Sequence, residues 1–373
     1  MPDWSHLHLS AWPFQMLPDE TFASIWADRA ELKNTVDRLL WRWSRVERST
    51  VHLMWANLGA GKTHTLRHIQ ARCLAQGETS FLPVYLLVPM YVRSFLQVYQ
   101  AIASAVDLKA IAALFARKGG RADRSQTARE LFPSVPDAVT ALHILADGSE
   151  LQKDIAAAWL QGARGLTRRQ LDTIGVTRQL RTSDDAVTLL AGLVRIVNSL
   201  SDRRVLVMLD ECQRIGSFRP AIGLEISAGL RTWFNLNPNH LTLILSFGTG
   251  EERYVRHLLS PELQTIADYR TLRLDLLSED AAFEFVNDLL SAFRTPGSPT
   301  AYFPFTPEVI QAVVRRLCSD GGATPRLLMK VFDALLSEAD YALASKHGLK
   351  IDEDLAVMLA EEARAELQRE SKE

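Results

Sequence analysis

The sequence predicts an α/β fold built on a parallel sheet, and three observations lead to this prediction. An apolar strand, Val51–Ala56, runs into a glycine-containing loop, then Lys62 and Thr63, and then the helical run His64–Cys73. From Ser278 to the C-terminus only helical patterns occur. Between these regions, strands alternate with helical stretches, an order typical of a parallel sheet covered on both faces. The further predicted strands are Leu82–Val88, Val205–Asp210, Leu241–Phe247 and Thr271–Leu274.

Composition sets the broad class of the protein. The 373 residues are 47% hydrophobic and 23% charged, as in an ordinary globular protein, and suffice for two or three domains. With a formal net charge of -2, nucleic-acid contacts must come from local basic clusters. The three cysteines have no metal-ligand spacing and suit a reducing compartment. Because the sequence shows neither a membrane-length apolar stretch nor a signal peptide, we expect a cytoplasmic protein without membrane contact.

The N-terminal region, residues 1–50, is predicted to be an aromatic arm followed by a helix. Residues 1–28 are rich in Trp, Pro and Phe without clear periodicity, so we expect an extended arm whose aromatic rings pack on the core. Arg29–Arg45 carries one apolar stripe at helical spacing, with Asp28 as its predicted N-cap.

The loop after the first strand has the P-loop pattern, ending in Gly61-Lys62-Thr63. In such a loop, successive backbone N–H groups and the N-terminus of the following helix face a polyphosphate. Lys62 would reach the β- and γ-phosphates, and Thr63 would ligate Mg²⁺. Ala56 replaces the usual first glycine, which is tolerable if its φ is negative. The predicted nucleotide-binding residues in the loop are Asn57, Leu58, Gly59, Ala60, Gly61, Lys62, Thr63 and His64.

A second candidate site follows the strand Val205–Leu209, where Asp210 and Glu211 stand side by side. In an open parallel sheet, ligands bind at the carboxyl ends of the strands. Asp210 would hold Mg²⁺ through water, and Glu211 would orient and deprotonate an attacking water. Acidic capping of a helix is the alternative, but the upstream P-loop favours an NTPase. The sequence has no N-K-x-D motif for guanine recognition, which argues against a GTPase.

Residues 107–183 interrupt the strand–helix alternation with short helical pieces and no strand signal, so we predict an all-helical insertion. It carries two basic clusters, which either form solvated helix faces or contact the phosphate backbone of DNA. Neither cluster lies beside a series of aromatic residues, so a single-strand stacking platform is not indicated. The clusters comprise Arg117, Lys118, Arg121 and Arg124, and then Arg164, Arg168, Arg169, Arg178 and Arg181.

Taken together, the P-loop, the Asp-Glu strand, a later strand ending in polar residues and Gly321-Gly-Ala-Thr-Pro-Arg326 resemble an AAA+ ATPase over roughly residues 20–345. Ala27-Asp-Arg-Ala-Glu-Leu32 places the resemblance closest to the origin-recognition, ExeA and TniB-like branch. Three further segments are similar to ATP-binding proteins of BREX-type phage-defence clusters: Trp159-Leu-Gln-Gly162, Ile174-Gly-Val176 and Asp184-Asp185.

The AAA+ resemblance implies a five-stranded parallel sheet of order 5-1-4-3-2, with a helical insertion and a C-terminal helical lid. It also implies a nucleotide-binding core at 51–277, a lid at 278–345 and a final helix at 346–373. Within the lid, Arg326 would be the sensor-2 arginine, which contacts the γ-phosphate of ATP.

Two further roles are open among several residues. Sensor 1, the polar group after the fourth strand, is Ser246 or Thr249, and Thr249 is preferred. An arginine supplied to a neighbouring subunit is Arg253, Arg256 or Arg270, and Arg256 is the candidate we select. Such a trans arginine would require a homo-oligomer for hydrolysis.

The expected function is an ATP- and Mg²⁺-dependent switch on DNA or on a DNA-processing partner, in a mobile-element, transposition or phage-defence setting. The alternative is a signalling or scaffold module that binds ATP with little turnover. Asp210-Glu-Cys-Gln213 also resembles a superfamily-2 helicase motif, but those enzymes need a second sheet domain, and residues 278–373 are helical. Apolar residues among acids in the last helix suggest packing against a partner protein: Leu355, Met358, Leu359 and Leu367.

Overall fold

The computed structural model describes residues 4–15, 22, 25–27, 29–75, 80–117, 121–132, 135–259, 261–267, 271–345 and 351–370. The chain divides into two compact units. The first, here called the loop–lid unit, comprises Met1–Val36, Ala56–Ala71 and Arg273–Glu373. The second, the sheet unit, comprises Asp37–Trp55 and Arg72–Leu272.

The sheet has the order β2-β3-β4-β1-β5, which is the predicted 5-1-4-3-2 read from the opposite edge. The β2–β3, β3–β4 and β4–β1 pairs are parallel, with Val207 opposite Leu243 and Val51 also opposite Leu243 on the other side. Every residue of β3 and β4 is buried, as expected for strands covered on both faces. The strands are β1 (Thr50–Trp55), β2 (Phe81–Leu87), β3 (Arg204–Asp210), β4 (Leu241–Phe247) and β5 (Leu272–Arg273).

The α-helices follow the predicted alternation and the predicted helical tail. They are α1 (Ala30–Arg45), α2 (Lys62–Ala75), α3 (Phe95–Ala105), α4 (Leu108–Ala116), α5 (Arg121–Leu131), α6 (Pro136–Asp147), α7 (Glu150–Leu160), α8 (Arg168–Thr173), α9 (Ser183–Ser201), α10 (Gln213–Ser217), α11 (Pro220–Leu236), α12 (Glu252–Leu258), α13 (Pro261–Ile266), α14 (Glu279–Ala292), α15 (Pro307–Cys318), α16 (Pro325–Ala344) and α17 (Glu353–Glu370). No single helix in the described ranges is long and apolar enough to cross a membrane. The bent pair α3 and α4 reaches that length and apolar content only when the two helices are taken together.

The predicted helical insertion is confirmed, since the described part of residues 107–183 contains α4 to α8 and no strand. Two of its helices, α7 and α8, begin at capping boxes, in which the hydroxyls of Ser149 and Thr167 accept from the backbone N–H three residues on. Trp159 is buried and donates its indole N–H to the carbonyl oxygen of Arg178 at 2.8 Å. Gly162 has a φ of 71°, and its carbonyl oxygen accepts from Gln100 on α3 at 2.5 Å. The Trp159–Gly162 segment therefore has a packing role in the insertion.

A buried arginine secures the connection between α1 and β1. Arg204 is 4% exposed and donates through its guanidinium to the carbonyl oxygens of Glu47 at 2.7 Å and Arg48 at 3.1 Å, and also to that of Val46. Burial lowers the pKa of Arg204 to about 10. Since backbone carbonyls are its acceptors, this arginine fixes the main chain of 46–48.

The loop–lid unit has its own apolar core, formed by the N-terminal arm and α14 to α17. As predicted for the arm, its aromatic side chains pack inward: Phe14 lies 5.5 Å from Phe332 between ring centroids. The indole N–H of Trp12 donates to Asp333 at 2.6 Å. Pro18 in the arm and Asp28, the predicted cap of α1, lie outside the described residues.

Side-chain N-caps begin three helices of the C-terminal region, α14, α15 and α16. The hydroxyls of Ser278, Thr306 and Thr324 accept from the backbone N–H groups of Ala281, Val309 and Leu327. The last helix, α17, turns its small residues into the lid core: Ala356, Ala360 and Ala363. Met358, one of the residues predicted to face a partner, is 48% exposed.

Candidate functional site

The loop between β1 and α2 has the backbone that the P-loop pattern requires. Gly59 and Gly61 have φ values of 77° and 93°, a region that favours glycine. Ala56 is buried and does not belong to the residues with positive φ, so alanine fits the position where the pattern has its first glycine. The loop ends where α2 begins at Lys62, which leaves the first N–H groups of that helix directed at the loop.

Lys62 is only 5% exposed, and its ammonium group lies against the loop backbone. It donates to the carbonyl oxygens of Ala56 at 3.3 Å and Asn57 at 3.4 Å. A buried ammonium needs such acceptors, because an unpaired charge away from water is strongly unfavourable. Next to it, Arg29 donates to the carbonyl oxygen of Ala60 at 2.8 Å. The contact made by Arg29 was not predicted, although the residue lies in the Ala27–Leu32 segment.

The other predicted loop residues differ in their surroundings. Leu58 is 63% exposed. The His64 ring donates to the carbonyl oxygen of Ile25 at 2.7 Å, and burial lowers the pKa of this histidine despite that bond. The His64 side chain is thus engaged with the N-terminal arm.

The start of α16 contacts the P-loop within the loop–lid unit. The backbone N–H of Arg326 donates to the carbonyl oxygen of Gly59 at 3.1 Å. A Cβ placed on Gly59 would lie 2.7 Å from the Cβ of Arg326, closer than such atoms approach. Thr324 caps α16 and holds this first turn in place. The structure therefore brings together two of the predicted elements, the P-loop and Arg326, which are distant in sequence.

In the sheet unit, Asp210 is fully buried, and its carboxylate accepts hydrogen bonds from residues of β2 and β4 and from the residue that follows it. Its Oδ1 accepts from the Ser246 hydroxyl at 2.8 Å and from the Glu211 backbone N–H at 3.0 Å. Its Oδ2 accepts from the Tyr85 hydroxyl at 3.2 Å. These donors hold the carboxylate in one orientation at the carboxyl end of β3. Tyr85, a residue of the neighbouring strand β2, carries no separate signal in the sequence.

Glu211 has a φ of 61°, an uncommon conformation for a residue other than glycine and one that clusters at functional sites. Its Oε2 accepts from the Gln213 side chain at 2.7 Å, and an Arg214 nitrogen lies 3.8 Å away. Gln213 also accepts from the backbone N–H of Gly248 at 2.8 Å. Gln213 therefore links Glu211 to the chain that follows β4, a role that the sequence reading missed.

Of the two candidates for sensor 1, Ser246 is the one that contacts Asp210. Ser246 is fully buried in β4, whereas Thr249 is half-buried and its hydroxyl accepts from the Glu251 backbone at 3.4 Å. The preference for Thr249 rested on its place beyond the strand end, but strand alternation turns Ser246 towards Asp210.

The fold is similar to that of several solved structures. The ORC2 protein of Aeropyrum pernix, in ADPNP–ADP complexes, superposes with a TM-score of 0.55 at 14% identity, covering 95% of this chain and 71% of that chain. The Aeropyrum pernix ORC1 protein in complex with DNA superposes with a TM-score of 0.51 at 14% identity, covering 96% of this chain and 69% of that chain. The fold is that of an AAA+ P-loop NTPase. No protein-family model matches the sequence, and no curated protein matches it.

Two of the predicted trans arginines, Arg253 and Arg256, lie on helix α12, and both are exposed. Arg256 pairs with Glu252 one turn earlier at 2.5 Å, and Arg253 pairs with Glu251. Arg270, the third candidate, lies outside the described residues.

Several arginines of the AAA+ insertion are engaged by acids. Arg124 donates two hydrogen bonds to the Asp147 carboxylate, at 3.1 and 2.9 Å. Arg178 donates two hydrogen bonds to the Asp185 carboxylate, both at 2.7 Å. The hydrogen bond from Arg178 is the largest cause that lowers the pKa of Asp185 to about 2. These arginines stabilise the insertion. Lys118 lies outside the described residues, as does the side chain of Arg121, whereas Arg117, Arg164, Arg169 and Arg181 are exposed.

The residues fit a bound ATP and Mg²⁺ better than a protein-held metal centre. Within the described ranges, no group of three or more His, Cys, Asp or Glu side chains could hold a metal ion. Mg²⁺ in nucleotide sites is held by one or two protein oxygens together with phosphates and water. Thr63 and Asp210 each carry an oxygen that could serve as such a ligand. The three cysteines are buried, and burial raises the pKa of each thiol.

Proposed function

We propose that this protein is a Mg²⁺-dependent ATPase of the AAA+ class that acts as a switch on DNA or on a DNA-processing partner. The observation that carries the proposal is the P-loop itself. Its two glycines have positive φ, its lysine is buried against the loop, and its Gly59 contacts the first turn of α16.

In the proposed reaction, each loop residue has a role in binding the polyphosphate. The backbone N–H groups of residues 57–64 bind phosphate oxygens, and Lys62 exchanges its two carbonyl acceptors for β- and γ-phosphate oxygens. Thr63 and Asp210 would hold Mg²⁺, which neutralises the charge that develops on the phosphates. Arg326, at the start of the lid helix, would contact the γ-phosphate.

Glu211 is the proposed general base, which accepts a proton from the water that attacks the γ-phosphorus. Gln213 holds the Glu211 carboxylate, and Ser246 with Tyr85 holds that of Asp210. We assign the sensor-1 role to Ser246 in preference to Thr249. Arg256 remains the proposed trans arginine of a homo-oligomer, in which its present partner Glu252 would have to release it.

Action on DNA is proposed from the likeness to an ORC1 protein that was solved in complex with DNA. The setting in a mobile element, in transposition or in phage defence rests on the sequence resemblance alone. A protein partner is proposed from the apolar residues among acids in the last helix, and a cytoplasmic location from the composition of the sequence.

A second candidate function is an ATP-binding scaffold with little turnover. The observation that favours it is the engagement of Glu211, whose Oε2 is bound by Gln213 at 2.7 Å with Arg214 3.8 Å away. Because this oxygen is already engaged, Glu211 is less able to orient an attacking water. If these contacts persist with ATP bound, ATP would be retained and not hydrolysed.

The deciding experiment measures ATP affinity and steady-state hydrolysis, with and without DNA, alongside molecular mass in ADP and in a slowly hydrolysed ATP analogue. We expect tight binding that Lys62→Ala abolishes. We also expect hydrolysis that Glu211→Gln lowers by about 10²- to 10⁴-fold while ATP still binds. Binding with turnover far below one per minute under every condition would support the scaffold. Absence of ATP binding in the unaltered protein would reject both functions.

A further inference from the structure

One face of α1 in the sheet unit combines arginines with an exposed tryptophan. Trp41 and Arg42 lie three and four residues after Arg38, and Arg45 lies four and three residues after them, which places all four on the same side of the helix. We call this set the arginine–tryptophan face. The opposite side of α1 is apolar and buried, with Val36, Leu39 and Trp43 in the interior.

The exposure of Trp41 is what distinguishes this face from an ordinary solvated helix surface. Its side chain is 63% exposed, while Trp43, two residues on, is 3% exposed. The Arg45 guanidinium carbon lies 4.9 Å from the centroid of the Trp41 ring, within the range of a cation–π contact. An exposed aromatic ring with an arginine beside it is the combination on which nucleobases stack in single-strand binding proteins.

The charge of the face also favours a polyanion. Asp37, the acid nearest to it on the helix, is paired with Arg72. Within the described part of the chain, neither Arg42 nor Arg45 forms a salt bridge. This contrasts with the insertion, where Arg124 and Arg178 are held by carboxylates.

We propose that the arginine–tryptophan face binds single-stranded DNA, with the arginines on phosphates and a base stacked on Trp41. The face extends about 10 Å along the helix axis, long enough for a few nucleotides. Single strands are favoured over duplex because a base can reach Trp41 only when it is unpaired. The proposal rests on the proposed action on DNA and names the surface that performs it.

The test uses the full chain and a fluorescent 20-nucleotide oligothymidine, with a 20-base-pair duplex in parallel, over a series of salt concentrations. Trp41→Ala should lower affinity for the single strand about tenfold and leave duplex binding nearly unchanged. Trp41→Phe should restore most of that loss because a phenyl ring still stacks. Replacing Arg38, Arg42 and Arg45 with alanine should reduce the slope of log affinity against log salt by about two.

The matched control replaces three exposed arginines of the insertion, Arg117, Arg164 and Arg169, with alanine, which removes the same charge elsewhere. Equal losses in both triple variants, or full affinity in Trp41→Ala, would overturn the proposal, as would a protein that binds only the duplex. Thermal unfolding checks that each variant is folded. Lys62→Ala separates the two proposals, since it should lose ATP binding and keep DNA binding.

Discussion

The backbone N–H of Arg326 donates a hydrogen bond of 3.1 Å to the carbonyl oxygen of Gly59. This bond joins the first turn of helix α16 to the P-loop through backbone atoms alone. A change in the loop that rotates the Gly59 peptide must break or move this bond. We therefore expect nucleotide binding at the loop and the position of α16 to be coupled through Gly59.

Gly59→Ala should therefore weaken ATP binding by more than tenfold. The new Cβ meets both an unfavourable φ of 77° and the Arg326 Cβ at 2.7 Å, so the loop or the lid helix must shift. ATP affinity is measured by titration with a fluorescent ATP analogue. Gly165→Ala is the matched control, because its φ is 85° but nothing lies within 4 Å of the added Cβ. Comparable ATP affinity in the two variants would contradict the coupling.

Gln213→Ala should lower turnover about tenfold and leave ATP affinity unchanged. The substitution removes the donor at 2.7 Å from Glu211, so the proposed base is no longer fixed in orientation. Steady-state kinetics with saturating ATP give the effect on turnover, and a binding titration gives the affinity. Faster turnover than in the unaltered protein would instead identify Gln213 as a restraint on Glu211, as the scaffold reading requires.

Ser246→Ala should reduce Mg²⁺-dependent hydrolysis, whereas Thr249→Ala should have little effect. Ser246 is a buried donor to Asp210 at 2.8 Å, and its loss leaves the carboxylate with fewer groups to orient it. The informative measurement is activity as a function of Mg²⁺ concentration, where Ser246→Ala should need more Mg²⁺. The reverse order of the two variants would return the sensor-1 role to Thr249.

Asp185→Asn should destabilise the protein by about 1–3 kcal/mol at neutral pH, because it removes the acceptor of the two hydrogen bonds from Arg178. The pKa of Asp185 is lowered from 3.8 to about 2, so the unfolded chain binds more protons in that range. Its contribution to stability is therefore complete above about pH 4 and is lost as the pH falls towards 2. Urea unfolding at both ends of this range should show the difference between the two proteins shrinking in acid. A constant difference would exclude the ion pair as its source.

The sheet and most helices could be predicted from sequence because their signals are local and periodic. The strand Leu241–Phe247 is an uninterrupted run of residues that are all buried in β4. The caps Ser278, Thr306 and Thr324 are side chains at a fixed spacing from the backbone N–H groups that donate to them. Strand order followed from the family resemblance, since a single sequence does not state which strands pair.

The finer parts of the site could not be predicted because they depend on contacts between distant residues. Tyr85 and Ser246 meet Asp210 across 125 and 36 residues of chain, and no local pattern relates them. The basic residues of the insertion looked alike in sequence, yet Arg124 and Arg178 are engaged by acids that only the folded chain places beside them. The arginine–tryptophan face could not be predicted because the apolar periodicity of α1 identifies only its buried side.

Arg204 lowers the entropy cost of binding a ligand to the arginine–tryptophan face. By holding the carbonyl oxygens of residues 46–48, its guanidinium immobilises the chain immediately after the last turn of α1. The conformational entropy of this segment is therefore lost when the sheet unit folds, before any strand of DNA arrives. A ligand that binds to α1 therefore does not have to order this backbone, and its affinity is not lowered by that entropy cost.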